Sequence, residues 1–128
     1  SEIYHIQNYI SEIINLIHQF ITESELIIIK KESIIQKINM IQYNLKGYEK
    51  ENIVQQGINY LYENISLFNC EIPVGVCHGD LTLSNMLMDY NHNLYLIDFL
   101  DDFLNSPLVD IIKLRQDIKY QYILQLYN

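Results

Sequence analysis

One stretch constrains this chain more than any other: residues 77–85, with the sequence CHGDLTLSN, followed closely by residues 96–99, LIDF. The stretch places Asp80 five residues before Asn85 and Asp98 thirteen residues after it. Between Asn85 and Asp98, turn-forming residues 89–93 separate two short apolar runs, which is typical of a β-hairpin. Most of the remaining sequence is apolar helix that other apolar helix could replace.

The hairpin register determines which polar residues meet at its open end. If Asp89 pairs with Leu94 across a four-residue loop, Asn85 lies directly opposite Asp98. Directly opposed residues of an antiparallel pair have β-carbons about 4.5–5.5 Å apart. This register predicts an amide oxygen and a carboxylate at one place, whereas a slip of one residue would separate them.

An amide oxygen beside a carboxylate favours a hard cation such as Mg²⁺, whose remaining positions are filled by water and phosphate oxygens. Asp80 lies in a loop that can place a third oxygen group nearby, suited to receive a proton from a hydroxyl. A base and two metal ligands in this order describe phosphoryl transfer from a Mg²⁺-bound nucleotide. Simpler roles exist for each residue alone: Asp80 could cap the loop, Asn85 could begin a turn and Asp98 could end a strand.

The pattern His78-Gly79-Asp80-x4-Asn85, a hairpin and then Ile97-Asp98-Phe99 resembles the aminoglycoside phosphotransferase and choline kinase group of protein-kinase-like enzymes. This likeness covers about residues 76–114 and implies ATP and Mg²⁺ as cofactors. Asp80 would then be the catalytic base and His78 a structural brace. Asn85 and Asp98 would be the metal ligands and hold the cofactor.

The likeness continues at residues 107–110, PLVD, where the family places a buried aspartate that anchors the catalytic loop. Asp110 would be that anchor. Alternatively, Asp110 only stabilises the first turn of its helix, where the helix dipole favours a negative charge. Asp101 could reach the site, whereas Asp102 is expected in solvent.

Helical spacing dominates the rest of the sequence. Isoleucines at 3, 6, 10, 13, 14, 17 and 21 predict an amphipathic first helix. A second helix is predicted from about 22–25 to 45, with residues 26–29 read as helix although a strand is the alternative, and a third over 49–66. Ser106 and Pro107 predict a helix start. The last helix is expected to carry an apolar stripe of Val109, Ile112, Ile118 and Tyr122, with Ile111, Leu114 and Leu126 beside it.

These elements give a mostly α fold with a small β-hairpin, resembling the core of the C-terminal lobe of a protein-kinase-like phosphotransferase. The 128 residues form a single partial domain: helical 1–70, the catalytic loop and metal-binding hairpin over 74–104, and a helix over 106–127. No Gly-rich phosphate loop and no strand-borne lysine precede the motif. The nucleotide-gripping N-terminal lobe is therefore expected to be missing from this segment.

The predicted function is an ATP-dependent small-molecule kinase that phosphorylates a hydroxyl group, with the segment alone inactive or nearly so. The acceptor stays open among an aminoglycoside, choline, a sugar and an amino-acid hydroxyl. One alternative is a non-catalytic kinase-like binding or scaffold module. Another is a plain helical interaction domain, which predicts that Asn85 and Asp98 do not converge.

Composition excludes several partners. The net charge of −8 argues against a nucleic-acid surface, and no apolar run approaches the ~18 residues of a membrane span. Without a secretory signal or metal-type spacing, Cys70 and Cys77 are expected to be reduced in the cytoplasm. His5, His18 and His92 are assigned to surface or packing. Apolar faces left by a missing lobe would promote self-association of the segment.

Overall fold

The computed structural model describes residues 2–67, 69, 71–101 and 104–120. The helices are α1 (Glu2–Glu23), α2 (Lys31–Asn44), α3 (Glu51–Glu63) and α4 (Pro107–Tyr120). The strands are β1 (Glu25–Ile28), β2 (Glu71–Val74), β3 (Met86–Met88) and β4 (Leu94–Leu96), with short 3₁₀ turns at Ile65–Leu67 and Leu83–Asn85. β1 pairs with β2 and β3 pairs with β4. The chain is mostly helical with a small β3–β4 hairpin, as the sequence predicts, and the β1–β2 sheet was not predicted.

The chain divides into two compact units. The first comprises residues 1–26 and 73–128, and the second residues 27–72. In the second unit, α2 packs on α3, with Ile38 and Ile58 buried. The Gln42 side-chain amide donates to Gln55 Oε1 at 2.9 Å across the same helix pair. Every residue of the loop and hairpin pattern belongs to the first unit.

The core of the first unit joins α1 to the loop. Ile13 of α1 is buried against Leu81 of the loop and Met86 of β3. Leu81 is completely inaccessible to solvent. Since Leu81 directly follows Asp80, burial of the leucine holds the backbone of the aspartate in place.

The first helix is confirmed, but its apolar row is only partly buried. Ile13 is buried as predicted, whereas Ile3, Ile6, Ile10 and Ile14 are at least half exposed. The inward face instead includes Phe20, which the predicted row omits. No helix in the described part of the chain has the length and apolar character needed to cross a membrane.

The prediction that a second helix begins at residues 22–25 and includes 26–29 was wrong. α1 continues to Glu23, and Thr22 Oγ1 donates back to the His18 carbonyl oxygen at 2.8 Å instead of capping a new helix. The next residues form strand β1 and pair with β2. The β-branched run Ile27-Ile28-Ile29 fits this outcome, because such side chains restrict rotamers in a helix and pack well in a sheet.

The start of α4 is confirmed, and its inward face differs from the prediction. The Leu108 N–H donates to Ser106 Oγ at 3.2 Å, so Ser106 caps the helix with Pro107 at its first position. Ile112 and Ile118 are more than half exposed, whereas Asp110 and Asp117 are buried. The predicted continuation over 121–127 lies outside the described residues.

The β3–β4 hairpin exists, but its predicted register was wrong by one residue. Met88 pairs with Leu94 and Met86 with Leu96, so Asn85 lies opposite Ile97 and not opposite Asp98. The Asp89 N–H donates to the Asn93 carbonyl oxygen at 3.1 Å, which leaves a three-residue loop. His92 has a left-handed backbone with φ 64°, as three-residue hairpin loops require at their last position.

The hairpin tip gives a pH prediction. The Asp89 carboxylate accepts from the Asn93 side-chain amide at 3.0 Å and from the Asn91 and Asn93 N–H groups at 2.9 Å. These hydrogen bonds lower the pKa of Asp89, and the bond from the Asn93 side chain has the largest effect. Because the pKa of Asp89 is lower in the folded chain than in the unfolded chain, the ionised carboxylate stabilises the fold at pH values above the unfolded-chain pKa. This stabilisation is lost as the pH falls through the folded-chain pKa.

We therefore expect the backbone amide signals of Asn91 and Asn93 in NMR spectra to move in acid, with a midpoint below the ordinary aspartate value of about 3.9. Asp89→Asn should remove this transition, and Asp101→Asn should leave it intact. A midpoint at the ordinary value would contradict the hydrogen-bonded tip.

Candidate active site

The loop that carries Asp80 is fixed to α4 by Asp110. The His78 N–H donates to Asp110 Oδ2 at 2.7 Å, and the Gly79 N–H donates to Oδ1 at 2.8 Å. The Asp110 side chain is fully buried. Hydrogen bonds to an ionised group are stronger than neutral ones, so this carboxylate holds two consecutive peptide groups just before Asp80.

A second carboxylate of α4 holds the other end of the loop. The Leu83 N–H donates to Asp117 Oδ2 at 2.6 Å, and Asp117 is only 2% exposed. Burial raises the pKa of the Tyr9 hydroxyl on α1, and the negative charge of nearby Asp117 raises it further. Asp117 on α4 therefore lies close to both α1 and the loop. The sequence reasoning missed Asp117. Its signal was the seven-residue spacing from Asp110, which places both on one face of a helix.

The loop passes so close to its neighbour that residue 79 must be glycine. Gly79 has φ 92°, and a β-carbon there would lie 1.8 Å from the Leu100 carbonyl oxygen. The Leu100 N–H in turn donates to the His78 carbonyl oxygen at 3.0 Å. The segment after Asp98 is thereby joined to the backbone just before Asp80.

His78 connects the loop to the end of β4. Its Nδ1 accepts from the Asp80 N–H at 3.1 Å, and its Nε2 lies 2.6 Å from the Ile97 carbonyl oxygen. Both contacts are satisfied by the tautomer that carries its proton on Nε2. The ring is 1% exposed and packs against Phe99 with centroids 4.5 Å apart. His78 therefore contacts the residues on both sides of Asp98 and has no access to solvent.

Asp80 and Asn85 are in direct contact. Asn85 Nδ2 donates to the Asp80 carbonyl oxygen at 2.9 Å and to Asp80 Oδ2 at 3.2 Å. The Asn85 side-chain nitrogen is thus directed at Asp80, and the side-chain oxygen Oδ1, which can only accept, is not used in these two bonds. Asn85 is 8% exposed, so its orientation is set by the protein and not by solvent.

Asp98 lies beside this pair in the backbone, although not by the predicted register. The Ile97 N–H donates to the Asn85 carbonyl oxygen at 3.0 Å, and Asp98 is the next residue. Its φ of 58° interrupts the alternation of the strand, so the register alone does not decide which way its side chain turns. The Asp98 side chain is exposed, and no contact joins it to Asp80 or Asn85 within the described residues.

Lys113 is the second residue that the sequence reasoning missed. Its Nζ lies 3.6 Å from Asp80 Oδ1, on the α4 face that also carries Asp110 and Asp117. The signal for it was the same helical spacing, three residues after Asp110 and four before Asp117. The apolar residues of α4 dominated the prediction for this helix and obscured its polar face.

The donor set at Asn85 and Asp98 fits Mg²⁺. One side-chain amide oxygen and one exposed carboxylate are the hard oxygen ligands that this ion prefers, with water and phosphate oxygens filling the other positions. The described residues contain no group of three or more His, Cys, Asp or Glu side chains able to hold a metal ion. A site of one carboxylate and one amide does not need such a group.

Among the other candidates from the sequence, the structure describes Asp101 and the histidines at 5, 18 and 92. Asp101 is exposed and lines a small cleft with Cys77 and His78. Asp102 falls outside the described residues, as does Cys70. The rings of His5 and His92, which were considered separately in the sequence, have centroids 5.4 Å apart.

The family profile of the ecdysteroid kinase-like proteins matches residues 5–115. The chain belongs to this family. Ecdysteroid kinase-like proteins are part of a protein-kinase-like superfamily related to the choline and aminoglycoside kinases, which supports the coarser resemblance seen in the sequence. Membership of the aminoglycoside phosphotransferase or choline kinase family itself is not shown. No curated protein and no solved structure gave a significant match.

Proposed function

We propose that this chain carries the catalytic centre of a kinase-like phosphotransferase that moves the γ-phosphoryl group of ATP to a hydroxyl of a small molecule. The observation that carries the proposal is the Asn85 side-chain amide, which donates to the Asp80 carbonyl oxygen and to Asp80 Oδ2 and so joins a candidate metal ligand to the candidate base. Membership of the ecdysteroid kinase-like family supports the same reaction class.

In this mechanism, Asp80 orients the acceptor hydroxyl and receives its proton as the oxygen attacks phosphorus. Asn85 and Asp98 would hold Mg²⁺, which neutralises charge on the phosphate oxygens. His78 braces the segment before Asp98. Asp110 anchors the loop, because it fixes the two peptide groups that precede the base.

The position of the chain within a kinase is part of the proposal. The described residues before the loop form three helices and two short strands, with no strand-borne lysine facing a phosphate site. We infer that residues 1–128 correspond to the core of the C-terminal lobe. Because phosphoryl transfer depends on positioning from both lobes, the segment alone should be inactive or nearly so.

The acceptor is a small hydroxyl compound. The family description names ecdysteroids, so a hydroxylated steroid is added to the aminoglycoside, choline, sugar and amino-acid acceptors that the sequence leaves open. Transfer from radiolabelled ATP to a panel of these acceptors would identify the class. The assay is run on this chain and on any longer protein that contains it.

The test of the base is Asp80→Asn in the active form of the protein. Removing a general base is expected to lower turnover by about 10²–10⁴-fold, while the amide preserves the shape of the side chain. Ser84→Ala is the matched control, since Ser84 is exposed on the same loop. Turnover of Asp80→Asn at the wild-type rate would remove Asp80 from the mechanism.

A second candidate, a non-catalytic kinase-like scaffold, is favoured by the helical character of the residues before the loop. It predicts that Mn²⁺, a substitute for Mg²⁺, does not bind at Asn85 and Asp98. A titration of the chain with Mn²⁺ and ATP, followed by NMR line broadening around residues 85 and 98, separates the two functions. Broadening that Asp98→Asn abolishes and Asp101→Asn preserves would exclude the scaffold.

A further inference from the structure

Lys113 is the one cation that the described part of the site places against Asp80. In the unit formed by residues 1–26 and 73–128, every lysine and arginine lies on one stretch: Lys113, Arg115 and Lys119. Of these three, Lys113 lies between Asp110 and Asp117 on the α4 face that holds the loop. The helix that holds the loop in place therefore also positions the Lys113 ammonium beside the candidate base.

The contact between Lys113 and Asp80 does not have the features of a structural ion pair. It is a single contact of 3.6 Å to Oδ1, and the two side chains are 41% and 35% exposed. Ion pairs of this kind contribute little to stability. The buried acids on either side are already engaged, since Asp110 and Asp117 accept backbone N–H groups at 2.6–2.8 Å. The ammonium is thus free to exchange its partner.

The two oxygens of Asp80 have different neighbours. Oδ2 accepts from Asn85, whereas Oδ1 faces Lys113. When ATP binds, an oxygen of its γ-phosphoryl group would replace Oδ1 as the partner of the ammonium, and Oδ1 would then be open to the acceptor hydroxyl. A partly desolvated cation at that place needs a new anion, and the non-bridging oxygens of the transferred group supply one.

We propose that Lys113 is a further catalytic residue of the phosphotransfer, exchanging Asp80 Oδ1 for a non-bridging oxygen of the ATP γ-phosphoryl group. This inference rests on the proposed function. The acceptor O–H bond breaks and its proton passes to Asp80, while the acceptor oxygen bonds to phosphorus. The bond from phosphorus to the β-phosphate oxygen breaks, and its electron pair leaves with ADP. Lys113 keeps its protons and stabilises the charge on the moving group.

The experiment compares the affinities of Mg²⁺-ATP and Mg²⁺-ADP by calorimetry, which requires no turnover. Only ATP has a γ-phosphoryl group, so Lys113→Met should weaken ATP binding about tenfold or more and leave ADP binding unchanged. Lys113→Arg should keep most of the ATP affinity because it keeps the charge. Lys119→Met is the matched control on the same helix, and it should alter neither affinity.

Equal effects of Lys113→Met on ATP and ADP, or none on either, would overturn the role of Lys113 and leave the proposed function standing. The titrations use a protein that contains this chain together with its nucleotide-binding lobe, and a wild-type form of that protein that binds neither nucleotide overturns the proposed function and this inference with it. Thermal unfolding of each variant accompanies the titrations. If Lys113→Met does not fold, Lys113→Gln, which keeps a polar side chain, replaces it.

Discussion

Replacing Gly79 with alanine is expected to destroy the loop. The added β-carbon would meet the Leu100 carbonyl oxygen at 1.8 Å, and φ 92° is a backbone conformation that alanine rarely adopts. Neither neighbour can yield cheaply, since the obstructing atom is backbone and the Gly79 N–H is bound to buried Asp110. We expect a loss of about 3 kcal/mol or more in the free energy of unfolding. Mn²⁺ binding near Asn85 and Asp98 should disappear with it.

Gly57→Ala is the matched control, and its expected change in the free energy of unfolding has the opposite sign. Gly57 lies inside α3, and a β-carbon there would meet no atom within 4 Å. Alanine in a helix interior is favoured over glycine by up to about 1 kcal/mol, so this variant should be slightly more stable. Urea unfolding followed by circular dichroism measures both variants. Similar stabilities for the two would show that the loop does not approach Leu100 as described.

Asp110→Ala is the second change with a large expected effect. It would leave the buried N–H groups of His78 and Gly79 without their acceptors. Each buried, unpaired donor costs about 1–3 kcal/mol, so the total loss should be about 3–5 kcal/mol. Asp110→Asn should lose less, because one side-chain oxygen can still accept.

The direct measurement for Asp110 is amide hydrogen exchange at residues 78 and 79. Both amides should be protected in the wild type and exchange rapidly in Asp110→Ala, whereas the Leu83 amide, held by Asp117, marks whether α4 still packs. Asp101→Ala, at an exposed aspartate, is the control. If the amides of residues 78 and 79 stayed protected in Asp110→Ala, Asp110 would not anchor the loop and would only stabilise the first turn of α4.

The sequence was most informative where chemistry and local geometry coincide. Three features could be predicted because their residue types are found in few other structures. They are the loop that carries Asp80, the hairpin that follows it and the capped start of α4. The register differs from the predicted one because the hairpin closes with a three-residue loop in which His92 is left-handed. Histidine adopts that conformation more often than most residues other than glycine, but far less readily than glycine itself, so His92 gave only a weak signal.

The inward face of α4 could not be read from hydrophobicity. Its buried side chains include two aspartates, which pattern rules assign to solvent. They are buried because they accept N–H groups of the loop. The family likeness at residues 107–110 predicted this for Asp110, and only the spacing from Asp110 indicated it for Asp117. Likewise, strand β1 depends on pairing with β2 more than forty residues away, so local spacing at residues 26–29 favoured a helix.

The dependence of the loop on α4 bears on how this motif can be moved between proteins. Residues 77–85 do not hold their own shape, since three of their backbone N–H groups, at His78, Gly79 and Leu83, end on carboxylates of a distant helix. Grafting the loop alone onto another scaffold should yield a disordered segment. The smallest portable unit is the loop together with residues 106–117, and a designer who transplants one must also transplant the other.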